Sequence, residues 1–143
     1  MDNCTICLSG AAGMGIQTVE KLLTKILKNN SYNVYATKEV MSRVRGGNNS
    51  TEIRVGQTKV RGYKHHVDIF VPINKNAIER HIDRLTDDTV FIGEKDNLDY
   101  DLSKGKKYDI AFTDIAKEIG NKLYTNTVAV GTLCGIFDVD KDQ

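Results

Sequence analysis

The sequence predicts an α/β domain of three layers, in which a mostly parallel open sheet carries helices on both faces and a hairpin at one edge. Short apolar runs of strand length, such as Thr5–Leu8 and Val67–Val71, alternate with segments whose apolar residues recur at helical spacing, such as Ile16–Leu27. A turn of small residues, Gly10–Gln17, joins the first strand to the first helix. Such alternation is typical of a sheet covered by helices on both faces.

Length and composition indicate one ordinary globular domain. The chain has 143 residues, of which 40% are hydrophobic and 27% charged, enough for one hydrophobic core and too few for two. No apolar run approaches the length needed to cross a membrane, and the N-terminus lacks the basic and then apolar pattern of a signal peptide. We therefore expect a cytoplasmic protein with no membrane partner.

The first half of the chain predicts a β-α-β unit followed by a hairpin. A second strand at Asn33–Thr37 follows the first helix, and a right-handed crossover would pair the first two strands in parallel. Residues 38–51 have no clear period and are interpreted as a functional loop. Glu52–Val55 and Lys59–Val60, joined by Gly56–Thr58, then predict a hairpin at the sheet edge.

The second half of the chain continues the alternation. Three further strands are predicted, at Val67–Val71, Val90–Ile92 and Tyr108–Phe112. Polar capping residues are expected to begin the helices: Asn74 for a helix with the apolar face Ala77, Ile78, Ile82 and Leu85, Thr113 or Asp114 for Ile115–Leu123, and Asn126 for Val128–Phe137.

The last apolar segment, Val128–Phe137, is apolar on almost every side. A helix of this kind is buried in a core or lies against a partner. We expect it to promote self-association, so that the isolated chain forms a homo-oligomer when partners are absent.

The turn Gly10–Gln17, with the sequence GAAGMGIQ, has the architecture of an anion-binding loop. Glycine permits positive φ and close approach of a ligand, and the first N–H groups of the following helix point at the turn. The order G-x-x-G-x-G differs from the dinucleotide fingerprint G-x-G-x-x-G, and no Gly-Lys-Ser or Gly-Lys-Thr follows. Taken alone, the turn is compatible with anion binding and equally with a tight turn that needs small residues for packing.

Basic charge is concentrated in the middle of the chain, although the formal net charge is only +1. Residues 38–66 contain seven basic and two acidic residues, whereas residues 67–143 contain ten basic and fifteen acidic ones. This distribution favours a local site for an anionic ligand. It argues against a nucleic-acid partner, because the remainder is acidic and the single Arg-Gly-Gly lacks interleaved aromatic residues.

The cysteines and histidines do not predict a metal site. Cys4 and Cys7 have C-x-x-C spacing, but in a strand these two positions point to opposite faces, so buried reduced thiols are expected. The adjacent pair His65 and His66 is interpreted as a surface or interface feature. The remaining polar residues of interest are expected to be structural: His81 partly exposed on a helix, and Asp68 making a hydrogen bond at the start of its strand.

Four stretches of the sequence together resemble the gamma domain of 2-oxoacid:ferredoxin oxidoreductases. They are Gly10–Gln17, Ser42–Ser50 (SRVRGGNNS), Val67–Ile69 and Asn126–Gly131 (NTVAVG). The sequence is most similar to the gamma-like N-terminal part of a fused alpha subunit, which tends to carry Gly-x-x-Gly-x-Gly-Ile-Gln. The resemblance covers nearly all of residues 1–143. Because family gamma domains usually continue further, it implies a gamma-type domain truncated at its C-terminus.

The resemblance implies one part of a thiamine-diphosphate-dependent enzyme that decarboxylates a 2-oxoacid, such as pyruvate or 2-oxoglutarate, to an acyl-coenzyme A. In such enzymes electrons pass through iron–sulfur clusters to ferredoxin. The sequence has no four-cysteine ferredoxin spacing and no Gly-Asp-Gly motif for thiamine diphosphate and magnesium. These cofactors are therefore expected only in partner alpha and beta subunits or domains, with ferredoxin reached through them. No catalytic residue is assigned to this chain, which is expected to be inactive alone.

In the family, the gamma domain lies over the active site and helps to hold coenzyme A. The matching positions form the predicted coenzyme A site: Gly10, Ala12, Gly13, Met14, Gly15, Gln17, Arg43, Arg45, Gly46, Gly47, Asn48 and Ser50. The two arginines suit the phosphates of coenzyme A, because they can make charge-assisted hydrogen bonds. The alternative is a scaffold or interaction domain that has no ligand of its own.

Overall fold

The computed structural model describes residues 3–40, 47–62, 64–101, 103–140 and 142. Six strands in this part of the chain form one sheet: β1 (Asn3–Ala11), β2 (Asn33–Val40), β3 (Asn48–Gly56), β4 (Ile69–Pro72), β5 (Val90–Gly93) and β6 (Lys106–Asp109). Five α-helices accompany them: α1 (Ile16–Asn29), α2 (Ala77–Arg80), α3 (Lys95–Leu98), α4 (Phe112–Ile119) and α5 (Thr125–Ile136). Two short 3-10 helices lie at Ile82–Arg84 and Lys122–Tyr124.

The strand order in the sheet is β2-β3-β1-β4-β5-β6. Neighbours from β1 to β6 pair in parallel, whereas β3 runs antiparallel to both β1 and β2. Only β3 therefore runs against the common direction. The predicted fold class, a mostly parallel open sheet with an edge hairpin, is confirmed.

Two details of the predicted sheet are wrong. β1 and β2 do not pair, because β3 lies between them and pairs with β1 over nine positions, from Asn3 opposite Gly56 to Ala11 opposite Asn48. The edge hairpin consists of β2 and β3, and residues 59–60 form no strand. The chain after β3 folds back instead, and the Arg54 guanidinium holds it by donating to the carbonyls of Arg61 and Gly62 at 3.0 and 2.9 Å.

The two faces of the sheet carry separate apolar clusters. On one face α1 and α5 cover the inward side chains of β1 and β3, with Leu8, Leu23 and Leu133 fully buried. On the other face α2 and α3 pack on β4 and β5 around Phe70 and Phe91. We call these the α1 face and the α2 face. The two helical layers confirm the predicted three-layer arrangement.

Helix α1 matches its prediction, and the later helices are shorter or shifted. Instead of the expected helix from Asn74 to Leu85, α2 has four residues and a 3-10 turn follows it, so that Ile82 is partly exposed. β6 ends at Asp109, and Phe112 begins α4 rather than ending a strand. The reason lies elsewhere in the chain, since the Glu94 carboxylate accepts the Thr113 N–H at 2.7 Å and so stabilises the helix start.

Helix α5 is half-buried. Ala129, Val130 and Leu133 face the core, whereas Ile136 is 40% exposed. Within the chain itself, therefore, the helix is not buried on all sides. Asn126 lies inside α5 and does not cap it. Among the described residues, no helix is long and apolar enough to cross a membrane.

Candidate functional site

The connections after β1 and β4 leave the sheet on opposite faces. α1, which follows β1, packs on the α1 face, and α2, which follows β4, packs on the α2 face. Because β1 and β4 are parallel neighbours, the chain diverges between their carboxyl ends. Ligands of open α/β sheets bind in crevices at such switch points. The glycine turn Gly10–Gln17 and residues 72–76 after β4 form the two sides of this position.

The glycine turn has the backbone geometry that its sequence predicts. Gly13 and Gly15 have φ values of 87° and 78°, a region that favours glycine. The Gly15 carbonyl accepts the N–H groups of Thr18 and Val19 at 3.0 and 3.1 Å and so begins α1. The first N–H groups of any helix have no acceptor inside the helix. Those of α1 are directed into the turn, which suits an anion.

Packing explains two of the three glycines without a ligand. A Cβ at Gly10 would lie 2.7 Å from Ile73 Cβ, and one at Gly15 would lie 2.2 Å from the Asn126 amide nitrogen. A Cβ at Gly13, by contrast, would meet nothing within 4 Å. Gly13 is therefore the glycine whose surroundings leave room for a ligand.

Asn126 fixes the turn from the far end of the chain. Its side-chain amide donates to the Met14 carbonyl at 3.2 Å, across 112 residues of sequence. Met14 itself is 40% exposed, and Gln17 is exposed as well. The sequence marked Asn126 only as a helix cap, although it stands in the motif Asn126–Gly131. A crevice of about 630 Å³ opens beside these residues and extends to Ile73 and Glu94.

The start of β3 lies directly against the glycine turn. Ala11 pairs with Asn48, and the Ala12 N–H donates to the Gly47 carbonyl at 2.9 Å. The start of β3 and the glycine turn therefore lie together at the edge of the sheet where the parallel strands β1 and β4 end. Of the other predicted site residues in this segment, Ser50 lies on β3, half-buried and opposite Ser9, and Arg43, Arg45 and Gly46 lie outside the described residues.

Asn48 belongs to a buried polar network that the sequence did not reveal. Its side-chain amide donates to Ser9 Oγ at 2.8 Å, and the same Oγ lies 3.0 Å from His81 Nε2. Asn74 completes the group with a long contact to Asn48 Oδ1 at 3.5 Å. The expectation that His81 is partly exposed is wrong, because only 7% of the residue is exposed. Packing of its ring against Phe70, with centroids 5.5 Å apart, draws it inward.

The α2 face also contains a buried ion pair between Arg84 and Glu52. Their side chains are 13% and 7% exposed. The Arg84 guanidinium also donates to the His65 carbonyl at 2.8 Å and the Lys64 carbonyl at 3.1 Å. The pair therefore ties β3 to the chain that precedes β4.

Several basic residues of the segment 38–66 have structural partners. Lys38 pairs with Glu20 of α1 at 2.8 Å, and Lys64 lies 3.5 Å from Asp68. Arg54 holds the loop after β3, as described above. Part of the local positive charge is therefore used inside the fold. Asp68 also accepts the Thr5 N–H at 2.8 Å, which confirms its structural role.

Cys4 and Cys7 are buried and chemically protected, whereas Cys134 is half-buried. Cys4 lies on the α1 face and Cys7 on the α2 face, as the strand pattern predicts. Burial raises the pKa of each thiol to about 12. His65 and His66 lie at the surface with their rings edge to face. Within the described parts of the chain, no group of three or more His, Cys, Asp or Glu side chains gathers as a metal site.

Comparison with known families gives a match over almost the whole chain. The family model described as pyruvate ferredoxin/flavodoxin oxidoreductase matches residues 5–143. Among curated proteins, the chain is similar to the 2-oxoacid:ferredoxin oxidoreductase subunit alpha of a Sulfolobus species, with 24% identity over 74 residues. That match covers 52% of this chain and 12% of the relative.

Solved structures with the same fold include an oxidoreductase with bound ligands and two separate subunits. The fold resembles that of a Magnetococcus marinus 2-oxoglutarate:ferredoxin oxidoreductase with 2-oxoglutarate, coenzyme A and succinyl-CoA bound, with a TM-score of 0.84 at 22% identity. This likeness covers 99% of the present chain and 26% of the other. The chain is also similar to a keto/oxoacid ferredoxin oxidoreductase gamma subunit from Geobacter sulfurreducens, with a TM-score of 0.77 at 16% identity, covering 97% and 80% of the two chains.

A third structure with this fold is a pyruvate oxidoreductase subunit from Thermotoga maritima, with a TM-score of 0.71 at 22% identity. The match covers 94% of the present chain and 76% of that subunit. The chain therefore spans most of the separate subunits but only 12% of the curated alpha subunit and 26% of the Magnetococcus chain.

Proposed function

Because this chain belongs to the pyruvate ferredoxin/flavodoxin oxidoreductase family, we propose that it is a gamma-type domain that helps to bind coenzyme A. In this role it covers the active site of a 2-oxoacid:ferredoxin oxidoreductase while a 2-oxoacid is oxidatively decarboxylated to an acyl-CoA. The domain is a non-catalytic component. Thiamine diphosphate, magnesium and the iron–sulfur clusters belong to partner domains or subunits, and ferredoxin is reached through those partners.

The observation that carries the proposal is the open space at Gly13. This glycine has a positive φ and room above its Cα, and it stands at the start of α1 beside the switch point of the sheet. A pyrophosphate is the kind of group that binds to N–H groups at such a helix start. Coenzyme A carries a pyrophosphate together with a 3′-phosphate, so a second anionic contact is needed.

The second contact is assigned to the segment that precedes β3. Arg43 and Arg45 lie there in the sequence, outside the described residues, and Gly47 at its end is hydrogen-bonded to the turn. A guanidinium binds a phosphate through two parallel hydrogen bonds. Asn48 has a different role, since its amide is buried and bonded to Ser9. We therefore assign it to the support of the site, and leave Ser50 among the neutral donors.

An uncovered apolar groove supports the assignment of partners. It has a volume of about 540 Å³ and lies on the α1 face beside α5, lined by Ile69, Val90, Ile92, Ile110 and Ile136. The exposed side chains of Tyr108 and Ile136 border this groove and give a partner apolar surface to cover. We assign it to contacts with the alpha and beta parts of the enzyme. When these are absent, it is the surface through which the isolated chain self-associates.

A scaffold domain without a ligand is the second candidate. The packing of Gly10 against Ile73 favours it, because this contact alone requires a small residue, and at Gly15 the positive φ favours glycine without a ligand. At Gly13 packing gives no reason for glycine and only its positive φ does, so the two candidates differ in whether the open space there holds a ligand. They therefore predict different responses of the turn to coenzyme A.

The deciding experiment is an NMR titration of the chain with coenzyme A at low ionic strength. We expect perturbation of the Gly13, Gly15 and Gly47 amides, with weaker effects from dephospho-coenzyme A and none stronger from NAD. Association costs at least about 4 kcal/mol and the partner half of the site is absent, so a Kd on the order of 0.1 to 10 mM is expected. Undisturbed turn amides at millimolar coenzyme A, or tighter binding of NAD, would favour the scaffold.

Arginine variants test the second contact. Arg45→Ala should weaken coenzyme A binding several-fold, and Arg45→Lys should recover only part, because lysine cannot form the two parallel hydrogen bonds. Lys59→Ala is the matched control, since Lys59 is an exposed cation of the same basic segment. Equal losses of coenzyme A affinity in Lys59→Ala and Arg45→Ala would show that the arginine acts only through general electrostatic attraction.

A further inference from the structure

The Ser9 hydroxyl joins two parts of the chain that are distant in sequence. Ser9 is the third-last residue of β1 and is fully buried. His81 lies at the end of α2, 72 residues away, and Asn48 begins β3, 39 residues away. Both side chains reach the same Ser9 oxygen, at 3.0 and 2.8 Å. The contact therefore connects the α2 segment to the start of β3.

The direction of these hydrogen bonds follows from the donors present. The Asn48 amide donates to Ser9 Oγ, and the Ser9 hydroxyl retains one proton to donate. His81 Nε2 can accept that proton only when the imidazole is neutral and carries its hydrogen on Nδ1. The Asn48 amide thus donates to Ser9, and the Ser9 hydroxyl donates to His81, so that each of these donors has an acceptor.

The surroundings of His81 favour its neutral form. Burial is the largest influence and lowers its pKa below the usual value, and the cations of Arg84 and Arg80 lower it further. The carboxylates of Glu39 and Asp83 act in the opposite direction and raise it. Burial and the two cations outweigh the carboxylates, so the imidazole is neutral at pH 7.

We propose that His81 is a positioning residue which, through the Ser9 hydroxyl, holds Asn48 and so fixes the junction between the start of β3 and the glycine turn. The junction itself is the hydrogen bond from the Ala12 N–H to the Gly47 carbonyl. Gly47 directly precedes Asn48, so a shift of Asn48 is transmitted to it. The inference deepens the proposed function and rests on it for the identity of the ligand at the turn.

Protonation of His81 breaks this arrangement. An imidazolium donates at both ring nitrogens, so Nε2 can no longer accept from Ser9. Ser9 Oγ would then accept from His81 and Asn48 together, and its own proton would lose the His81 acceptor. A buried donor that loses its acceptor is unfavourable, so the contacts among Ser9, Asn48 and His81 must rearrange.

The stability that His81 contributes should decrease as the pH falls. Because the folded pKa of His81 lies below its unfolded value, the His81 contribution to stability is complete above the unfolded pKa of about 6.5. It is lost as the pH falls toward the folded pKa, since the unfolded chain binds the proton more readily. The junction at Gly47 should loosen at the folded pKa itself, where the folded chain takes up the proton.

The test is an amide NMR titration of the 143-residue chain without ligand, from about pH 8 to about pH 5. In the native chain, the Ala12, Gly47 and Asn48 amides should shift with the midpoint at which the His81 ring titrates. In Ser9→Ala the ring should still titrate while these amides no longer follow it. Amides that ignore the His81 midpoint in the native chain, or follow it unchanged in Ser9→Ala, would overturn the proposal.

Two further variants separate positioning from folding. His81→Gln keeps an acceptor for Ser9 and cannot titrate, so it should preserve the native amide positions at neutral pH and abolish their pH dependence. His66→Gln is the control, because His66 is an exposed histidine. It should leave the titration of the Gly47 amide unchanged. A Gly47 titration that persists in His81→Gln, or one that disappears in His66→Gln, would refute the role of His81.

The coenzyme A titration is read separately. The phosphate of coenzyme A titrates at about pH 6 whichever variant is used. The ratio of the native affinity to the His81→Gln affinity therefore removes this contribution and leaves the effect of His81 protonation. Below the His81 midpoint, we expect affinity in the native chain to be about two- to fivefold lower than in His81→Gln, equivalent to about 0.5 to 1 kcal/mol. If the Ala12, Gly47 and Asn48 amides follow the His81 titration but coenzyme A does not bind, the proposed ligand is refuted and the positioning role of His81 stands.

Discussion

Alanine at each glycine of the turn should separate structural need from ligand binding. Gly13→Ala places a residue with a side chain at φ 87°, which costs about 1 to 2 kcal/mol. The new methyl group meets nothing within 4 Å, so the cost should stop there. For a domain of typical stability, about 5 to 15 kcal/mol, the variant remains folded.

Alanine at the other two glycines should destabilise the fold through their contacts, and Gly15→Ala should cost more than Gly13→Ala. At Gly15 the same conformational cost applies, and the new Cβ also displaces the Asn126 amide from Met14, a further loss of about 1 kcal/mol. At Gly10 the backbone is extended and tolerates alanine. There the Cβ meets Ile73 Cβ at 2.7 Å and forces β1 away from the chain after β4, at about 1 to 3 kcal/mol.

Gly62 supplies the matched control for this series. It has φ 78°, and a Cβ there also meets nothing within 4 Å. Gly62→Ala should therefore lose the same stability in urea denaturation as Gly13→Ala, and only Gly13→Ala should weaken coenzyme A binding in the NMR titration. Equal coenzyme A affinity in the two variants would refute binding at the turn. A larger stability loss for Gly13→Ala than for Gly15→Ala would refute the packing argument.

Two further predictions concern groups buried on either side of β1. Arg84→Met leaves the Glu52 carboxylate buried without its cation, so the free energy of unfolding should fall by about 3 to 5 kcal/mol in urea denaturation. Adding Glu52→Gln to the same chain should recover part of this loss, because it removes the unpaired charge. Cys4 and Cys7 should resist a thiol reagent at pH 8 in the folded chain, because burial raises both pKa values to about 12, whereas half-buried Cys134 should react slowly and all three should react after denaturation. Rapid native labelling of either buried thiol would contradict this.

The elements that the sequence predicts well are those whose signal is local. β1, the glycine turn and α1 are encoded in one continuous stretch, where an apolar run, small residues and helical periodicity follow one another. The strands β4 and β5 are likewise short apolar runs. These segments were sufficient to identify the fold class.

The features that the sequence missed depend on partners far along the chain. The start of α4 is stabilised by Glu94, the glycine turn by Asn126, and Ser9 is bonded to His81. No periodicity or spacing relates such residues, because the sheet brings them together only after folding. His81 is an example: its sequence neighbours Arg80 and Ile82 predict a partly exposed histidine, but its contacts with Phe70 and Ser9 in the fold bury the ring.

The insertion of β3 has the most direct effect on the site. In the predicted parallel pairing of β1 and β2, the chain after β2 would also have started at the carboxyl edge of the sheet, so the shared edge alone does not distinguish the two topologies. With β3 inserted, the chain that starts at that edge is the immediate neighbour of β1, at a strand spacing of about 4.8 Å. Only then can Gly47 accept the Ala12 N–H and Asn48 reach Ser9. The antiparallel strand therefore couples the basic segment to the glycine turn by direct hydrogen bonds, a connection that a purely parallel sheet would have left to side chains alone.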